Sequence, residues 1–294
     1  MNAPLANSPP ANSPPANSPL ADAEAAIRGG HPKAALVALT AAVKAAPAKA
    51  MLRIFMAQLL CILGQWERAH TQLNVVADMD ELAGPMREMV GHALRCELIR
   101  KAVFDGRRSP MIFGQPDEWL ALLIESQLRA GAGETAPSQQ LAARAFAAAP
   151  ASRGRIDGQP FAWIADADSR LGPVLEAMIN GRYYWVPFSR LSRVSIEAPT
   201  DLRDVVWLPA QLVFSNGGEA IAMVPTRYPG SERSDDEQIL MARKTEWHEE
   251  GAQRWLGLGQ RVLITDLGEH DLLSVRLIEL DAADDAADTA GAHG

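Results

Sequence analysis

The apolar pattern of the chain changes period near residue 150, and this change limits the folds it can adopt. Residues 21–150 are rich in Ala and Leu, with apolar positions at helical spacing, which predicts helices. From residue 151 onward, short runs of Val, Ile, Tyr, Phe and Trp alternate with turn residues, a pattern typical of strands and hairpins. We therefore predict a multidomain chain, α followed by α+β with antiparallel hairpins, and not a doubly wound parallel sheet.

Composition divides the chain into four predicted segments. Residues 1–20 repeat the unit ANSPP, which cannot form a core and predicts a disordered leader. Residues 21–150 are the predicted helical domain and residues 151–280 the α+β domain. Residues 281–294 contain mainly Ala, Asp and Gly and predict a disordered acidic tail.

Seven helices are expected in the first domain, separated by Gly and Pro breaks. They span residues 21–28, 32–46, 48–63, 66–77, 84–105, 116–130 and 138–149. Residues 30–35 (GHPKAA) align with residues 64–69 (GQWERA) at an offset of 34 residues, which is the tetratricopeptide period. We predict stacked tetratricopeptide-like hairpins with a concave protein-binding face, and keep a generic helical bundle as the alternative.

The second domain is expected to contain several short elements and two hairpins. The predicted elements are strands at 161–165, 182–188 and 194–197 and helices at 171–179 and 235–242. One hairpin joins 210–214 to 219–224 around the turn SNGG. The other is expected to join 261–266 to 272–280 around residues 267–271.

Charge and apolar content exclude several classes of function. The net charge of −8 argues against nucleic acid as a partner, because binding phosphates requires a basic face. The most apolar run, residues 54–63, is about half the length of a membrane span, and no signal peptide is visible, so we expect a soluble cytoplasmic protein without membrane association. Cys61 and Cys96 lie in apolar helical patterns and are expected to be buried free thiols.

Asp166 and Asp168 are the strongest candidates for chemistry. Carboxylates that alternate at a strand end point the same way and could share a cation or act as an acid/base pair. The alternative is structural, with Asp168 or Ser169 capping a helix that begins at Leu171. We favour the structural interpretation, because the sequence does not specify further ligands.

Other catalytic patterns are incomplete. The six histidines lack zinc-site spacing, and Trp247-His248-Glu249-Glu250 lacks the second His of a zincin helix. The segment GLG at 257–259 has no Lys-Ser/Thr and is interpreted as a helix C-terminus. No Gly-x-Ser-x-Gly elbow is present. We therefore predict no catalytic, cofactor-binding or metal-binding residues.

Aromatic residues cluster in the second domain. The cluster comprises Trp163, Tyr183, Tyr184, Trp185 and Trp207. Tyr183 and Trp185 share one face of their strand and Tyr184 lies on the other. Exposed Tyr and Trp beside Arg are typical of protein interfaces, whereas the alternative is that they form the core of a small sheet. Similarly, the turn at 201–204 (DLRD) belongs either to an interface or to an internal ion-pair network.

Several stretches in one order resemble a known family. They are WIADADSRLGPVLEAMINGRYYWVPF, APTDLRDVVWLPAQ, NGGE, PTRYPGSE, RKTEW and LGQRVLITD, all between residues 163 and 266. They resemble the ImpE family, also called SciE-type or TagJ proteins, which are accessory proteins of bacterial type VI secretion loci. The resemblance covers about residues 21–280 and is strongest from Gly158 onward.

The resemblance implies a cytoplasmic, non-enzymatic adaptor without a cofactor. Family members associate with the N-terminal helix of the small contractile-sheath subunit and are linked to the AAA+ ATPase that recycles sheaths. A helical-repeat groove suits an amphipathic helix. The competing hypotheses are an uncharacterised hydrolase or small-ligand-binding protein that uses Asp166, Asp168 and the Trp/Tyr region, and a purely architectural oligomer.

Two surfaces are candidates for partner binding. A groove on the helices between Met51 and Leu82 is slightly favoured on geometric grounds, and the aromatic sheet is the alternative. The candidate residues are Arg53, Gln58 and Trp66 for the groove and Tyr184, Trp185, Arg203 and Trp207 for the sheet.

Overall fold

Seven helices form the N-terminal part of the computed structural model, which describes residues 18–251 and 254–282. They are α1 Pro19–Gly29, α2 Pro32–Ala45, α3 Ala50–Ile62, α4 Trp66–Met79, α5 Gly84–Phe104, α6 Glu118–Gly131 and α7 Thr135–Ala148. Each lies within a few residues of its predicted position. The predicted leader at 1–17 and the acidic tail from 283 onward lie outside the described residues.

The helices pack as hairpins, and the internal repeat marks two of the hairpin turns. α1 packs on α2, α3 on α4, and α6 on α7. Gly30 and Gly64 turn the chain in the left-handed region, with φ of 83° and 65°, which Gly adopts without steric cost. Ala35 and Ala69, five residues after each turn, are fully buried. The prediction of tetratricopeptide-like hairpins is therefore confirmed.

The described residues of the C-terminal part form antiparallel strands, one short α-helix, α8 Glu237–Leu240, and three short 3-10 helices. The strands are β1 Gly154–Ile156, β2 Gln159–Phe161, β3 Ile164–Asp166, β4 Val174–Ile179, β5 Arg182–Pro187, β6 Leu191–Ile196, β7 Trp207–Phe214, β8 Glu219–Pro225, β9 Thr245–Glu249, β10 Trp255–Gly259, β11 Val262–Thr265, β12 Gly268–Asp271 and β13 Leu277–Leu280. Eight of them form one sheet in the order β2-β1-β13-β6-β7-β8-β4-β5. Smaller sheets pair β12-β11-β3 and β10-β9.

The predicted helix at 171–179 is wrong, because this segment contains strand β4. β4 joins β5 through Asn180 and Gly181, whose φ values of 50° and 71° form a two-residue hairpin turn. All six positions of β4 are buried, so the strand lacks the apolar–polar alternation that identifies a half-exposed strand. Since no helix begins at Leu171, neither Asp168 nor Ser169 is a helix cap.

The second predicted hairpin has the wrong return strand. β11 turns back at once into β12, in the segment expected to be a loop, and the two strands pair from Val262↔Asp271 to Thr265↔Gly268. β13 instead lies between β1 and β6 in the large sheet. By contrast, the predicted hairpin around SNGG is confirmed as β7 and β8.

The segment at 257–259 is also misassigned, since it lies in strand β10 and does not end a helix. A Cβ on Gly257 would lie 2.2 Å from the ring of Tyr228. The glycine therefore allows an aromatic ring to pack directly on the strand backbone.

The helical part packs on one face of the large sheet, and the two share a core. Tyr183, Trp185 and Trp207 project from the sheet into the cluster that includes the helix interiors. Tyr184 projects to the opposite face, where Leu263 and Ile278 help to form a second cluster. The predicted alternation of Tyr183, Tyr184 and Trp185 is thereby confirmed.

Candidate functional site

A buried ion network lies where α5 meets the large sheet, and Glu176 of β4 is at its centre. Arg100 of α5 donates from Nε and Nη2 to the two carboxylate oxygens of Glu176, at 2.6 and 3.0 Å. Arg261 brings Nη1 to 3.0 Å from Glu176 Oε2. Tyr183 donates its hydroxyl to Glu176 Oε1 at 2.5 Å, and accepts from Trp185 Nε1 at 2.8 Å.

The charges in this network are compensated. Burial raises the pKa of Glu176, but the guanidinium groups of Arg100 and Arg261 outweigh that effect and lower the pKa below its usual value. Burial and the neighbouring Glu176 raise the pKa of Tyr183 well above its usual value. Glu176 is therefore a paired carboxylate and Tyr183 a neutral hydroxyl donor, an arrangement that stabilises the fold.

Asp166 and Asp168 are bound by two different arginines. Asp166 Oδ2 accepts from Arg261 Nε at 3.0 Å and Nη2 at 2.5 Å, and its Oδ1 accepts from the Tyr228 hydroxyl at 3.1 Å. Asp168 accepts from Arg170 Nε at 2.8 Å and Nη2 at 2.5 Å. Burial raises the pKa of Asp166 to about 6, against the opposing charge of Arg261.

These bonds occupy the oxygens that a cation or substrate would need. Asp168 also accepts from the backbone N–H of Gly257 at 2.8 Å, and both aspartates are buried. In the part of the chain that the structure describes, no three His, Cys, Asp or Glu side chains converge as metal ligands do. The geometry favours the structural interpretation of the pair.

Arg227 extends the network to the helical hairpins. Its backbone carbonyl accepts from Arg100 Nη2 at 2.7 Å, and its Nη1 donates to the carbonyls of Ile62 and Leu240 at 2.8 and 2.5 Å. Ile62 is the last residue of α3, where helix carbonyls lack partners within the helix. Burial lowers the pKa of Arg227 to about 10. The side chain thus fastens the end of α3 to the sheet.

Sequence reasoning missed this network, although one signal was available. Glu176 stands inside the apolar run VLEAMI, and a charged side chain within a buried strand requires a partner. The partner itself was not predictable, because Arg100 lies 76 residues away in the chain.

The aromatic residues predicted to form a binding surface on the sheet are buried. Trp185 and Trp207 are fully buried and Tyr184 is 9% exposed; Trp207 donates to Glu97 at 2.8 Å, and Tyr184 stacks on Phe113 with ring centroids 4.3 Å apart. The interface interpretation of these three residues is therefore wrong, and their core role is confirmed.

Arg203 belongs to an internal ion-pair network. This was one of the two interpretations of the turn at 201–204, the other being a protein interface. Its Nη2 lies 3.3 Å from Asp201 and 3.4 Å from Asp204. Asp204 also accepts from the backbone N–H of Asp201 and of Thr200. The carboxylates thus fix the turn that precedes β7.

The three residues predicted for the helical groove have different environments. Arg53 donates to the Pro47 carbonyl and to Gln72 Oε1, both at 2.9 Å. Gln58 is half-buried. Trp66 is half-buried and packs against Trp207, with ring centroids 5.9 Å apart, while also lining an open cleft.

This cleft, the Trp66 groove, runs between α4 and α5. Its first part has a volume of about 780 Å³. It is lined by residues 64–68, His70, Thr71, Gly91, Leu94, Arg95 and Leu98. It continues past Trp66 and Leu98 into a second part of about 380 Å³, bounded by Phe104 of α5 and by the segment 229–233. The groove wall on α5 was not predicted, because the expected groove ended at Leu82.

The fold and this site define a class: helical hairpins joined to an antiparallel sheet by a buried ion network, with an open groove on the helical part. The ImpE protein family matches residues 158–279. The type VI secretion system accessory component TagJ of Pseudomonas aeruginosa is 46% identical over 262 residues, which cover 89% of this chain and 92% of TagJ. The chain belongs to the ImpE family, so the resemblance noted in the sequence is confirmed.

The fold also matches a solved structure. Protein VPA1032 from Vibrio parahaemolyticus superposes with a TM-score of 0.80 at 24% identity, covering 88% of this chain and 97% of that one. The predicted fold class is thereby confirmed. Within residues 18–251 and 254–282, no helix combines the length and the apolarity that a bilayer crossing requires.

Proposed function

We propose that this protein is a non-enzymatic accessory adaptor of a bacterial type VI secretion system and acts in the cytoplasm. In this proposal it binds the N-terminal helix of the small contractile-sheath subunit and is linked to sheath recycling by the AAA+ ATPase. The similarity to TagJ supports it, because it extends over 89% of the chain and so includes the helical part as well as the sheet.

The observation that carries the proposal is the open Trp66 groove. Amphipathic helices bind by placing their apolar face in a hydrophobic groove between helices. Trp66 and Leu98 provide apolar surface in this groove, and Leu98 is 64% exposed. Tyr184, Trp185 and Trp207, the aromatic candidates of the other surface, are buried.

The hydrolase or ligand-binding alternative has less support. Each of the two candidate carboxylates, Asp166 and Asp168, forms two hydrogen bonds with an arginine and others with a hydroxyl or backbone N–H groups. A nucleophile, general base or metal ligand needs an oxygen that can reach a substrate or ion. These carboxylates instead hold strands together.

Co-purification of the full chain with the two sheath subunits and the ATPase of its own secretion locus tests this function. We expect the full chain to retain the small sheath subunit, and to lose it when the N-terminal helix of that subunit is deleted. Retention of the helix-deleted subunit would contradict the proposed mode of binding. If the full chain retains neither sheath subunit nor ATPase, the adaptor function itself is wrong.

A further inference from the structure

Two arginines line the Trp66 groove without an ion-pair partner among the described residues. Arg68 of α4 and Arg95 of α5 are both exposed and both line the larger part of the groove. Among the described residues, Arg68 donates only to the side chain of Gln65. Some exposed cations outside the groove are paired, as Arg129 is with Glu125 at 2.7 Å. Others, such as Lys44 and Arg144, have no ion-pair partner in the described part of the chain.

The carboxylates around the groove leave an excess of positive charge. Glu67 is an unpaired carboxylate in the larger part, so two unpaired cations stand beside one unpaired anion within the described residues. In the smaller part, Asp105 is paired with Lys101 at 2.6 Å and Glu232 with Arg233 at 3.5 Å. This local excess contrasts with the net charge of −8 for the whole chain. A partner with carboxylates at these positions is therefore complementary in charge.

The floor of the groove is one face of α5, apolar except for Arg95. Gly91, Leu94, Arg95 and Leu98 follow the spacing that places residues on one side of a helix. Leu98 is exposed, and Gly91 has no side chain that would fill the space above the floor. A Cβ at Gly91 would come no closer than 3.8 Å to the side chains of His70 and Arg95.

The length of the groove fits a short helix. α5 borders it from Gly91 to Phe104, which at 1.5 Å per residue is about 20 Å. A helix of about four turns has this length. A helix laid along α5 would place one flank beside α4 and Arg68 and keep Arg95 at the edge of the floor.

We propose that the Trp66 groove recognises an amphipathic α-helix of about four turns with an aliphatic stripe and flanking carboxylates. The stripe contacts Trp66, Leu94 and Leu98, and the carboxylates pair with Arg68 and Arg95. This inference rests on the proposed adaptor function and specifies the chemistry of the helix that the adaptor binds.

Fluorescence anisotropy with labelled synthetic helices and the full chain tests the proposal. One peptide of roughly 16 residues carries a Leu stripe flanked by Glu, and a second peptide carries the same stripe flanked by Lys. We expect the Glu peptide to bind about tenfold more tightly, because its carboxylates pair with the groove cations and the Lys peptide is repelled. Added salt should reduce this preference.

Charge reversal of the groove should invert the preference. The R68E/R95E variant is expected to bind the Lys peptide more tightly than the Glu peptide. The matched control is K44E/R144E, which makes the same change in net charge at exposed positions outside the groove. This control should bind both peptides as the wild type does.

The apolar contact is tested separately. Leu98→Asp is expected to weaken binding of both peptides by at least about tenfold, whereas Val37→Asp, at a 75% exposed position of α2, should leave binding unchanged. Gly91→Leu should block the floor, and Gly91→Ala is its folding control, because a Cβ fits there. Thermal unfolding verifies that each variant is folded.

Several outcomes would overturn the proposal. Equal affinity for the two peptides, or binding unaffected by L98D and G91L, contradicts recognition in this groove. Peptide affinity that rises tenfold on deletion of residues 1–17 would identify the leader as the natural occupant. A concentration-dependent dimer that L98D dissociates would identify a second copy of the chain instead.

The same variants separate this proposal from the adaptor function. If R68E/R95E and L98D retain the small sheath subunit with unchanged affinity, the groove proposal is wrong and the adaptor function stands. If the peptides behave as expected but the wild type retains no secretion component, the groove proposal is supported and the adaptor function is wrong.

Discussion

The helical part and the sheet part of this protein are stabilised in different ways. In the helical part, small residues such as Ala35, Ala69 and Ala145 are fully buried where helices meet. In the sheet part, charged residues such as Glu176 and Arg261 are equally buried. Both parts have an apolar core. Small side chains let helices approach closely in the first, whereas a compensated charge network is added in the second and joins it to the first.

The two kinds of contact also differ in sequence separation. Hairpin partners in the helical part are neighbours along the chain, as α1 and α2 are. The ion pairs of the sheet part join residues far apart, and Asp166 and Arg261 are separated by 95 positions. Burying a charge is costly unless a partner is placed accurately. The sheet part therefore depends on its tertiary arrangement more strongly than the helical part does.

The largest predicted effect is that of removing the centre of the charge network. Glu176→Ala leaves Arg100 and Arg261 buried with incomplete partners, so we expect the free energy of unfolding to fall by about 3–5 kcal/mol. Urea denaturation measures this change. The matched control is Glu125→Ala, which removes an exposed helix pair with Arg129 and should leave stability nearly unchanged. A loss at Glu176 no larger than at Glu125 would refute a stabilising network.

A second prediction tests close packing in the helical part. A Cβ on Gly106 would lie 2.5 Å from the Gln127 carbonyl oxygen and 2.6 Å from Gly131 Cα. Gly106→Ala should therefore lower the free energy of unfolding by roughly 2–4 kcal/mol, through a backbone clash added to the cost of a left-handed alanine. Gly133→Ala is the control, since Gly133 has φ of 80° with open space around it. Equal losses in the two variants would show that backbone conformation, and not packing, sets the cost.

The third prediction concerns pH. The pKa of Asp166 is about 6 in the fold against 3.8 ordinarily. Between these values the group is protonated when folded and ionised when unfolded. Its stabilising contribution is complete below about pH 4 and is lost as the pH rises through 6.

The variant Asp166→Asn removes this pH dependence. Its free energy of unfolding, measured relative to the wild type, should therefore rise between pH 4 and 6 by up to about 3 kcal/mol. Chemical denaturation at a series of pH values measures the difference. A difference that stays constant or falls over this range would contradict the raised pKa.

The smallest expected signal comes from the two thiols of the helical part. Burial raises the pKa of Cys61 to about 12 and that of Cys96 to about 11, and both are free. At pH 8 they should be neutral and unreactive toward a thiol reagent in the native protein. Two thiols per chain should react after unfolding in guanidinium chloride. Rapid reaction of either thiol in the native state would indicate that the helical core opens.

Sequence patterns predicted the helical part well and the sheet part incompletely. All seven helices were found, because Gly and Pro breaks and a helical period are local signals. β4 was mistaken for a helix for two reasons. A strand buried on both faces does not alternate between apolar and polar residues, and the pair Asn180-Gly181 can end a helix as well as form a hairpin turn. Among the candidate partner-binding residues, Tyr184, Trp185 and Trp207 are core residues. The sequence could not show this, because a pattern of aromatic residues does not reveal which face of the sheet is covered by the rest of the fold.

The sequence by itself determined the family, the order of helices before strands, and the hairpin turns marked by Gly30 and Gly64. These properties depend on local spacing and on residue types. Only the tertiary structure decided that Arg100 and Arg261 compensate the charge of Glu176 and that Arg170 pairs with the carboxylate of Asp168. It also decided that α5 forms a wall of the Trp66 groove. Such pairings depend on distances between segments that are remote in the chain, and those distances are set when the helical part packs on the sheet.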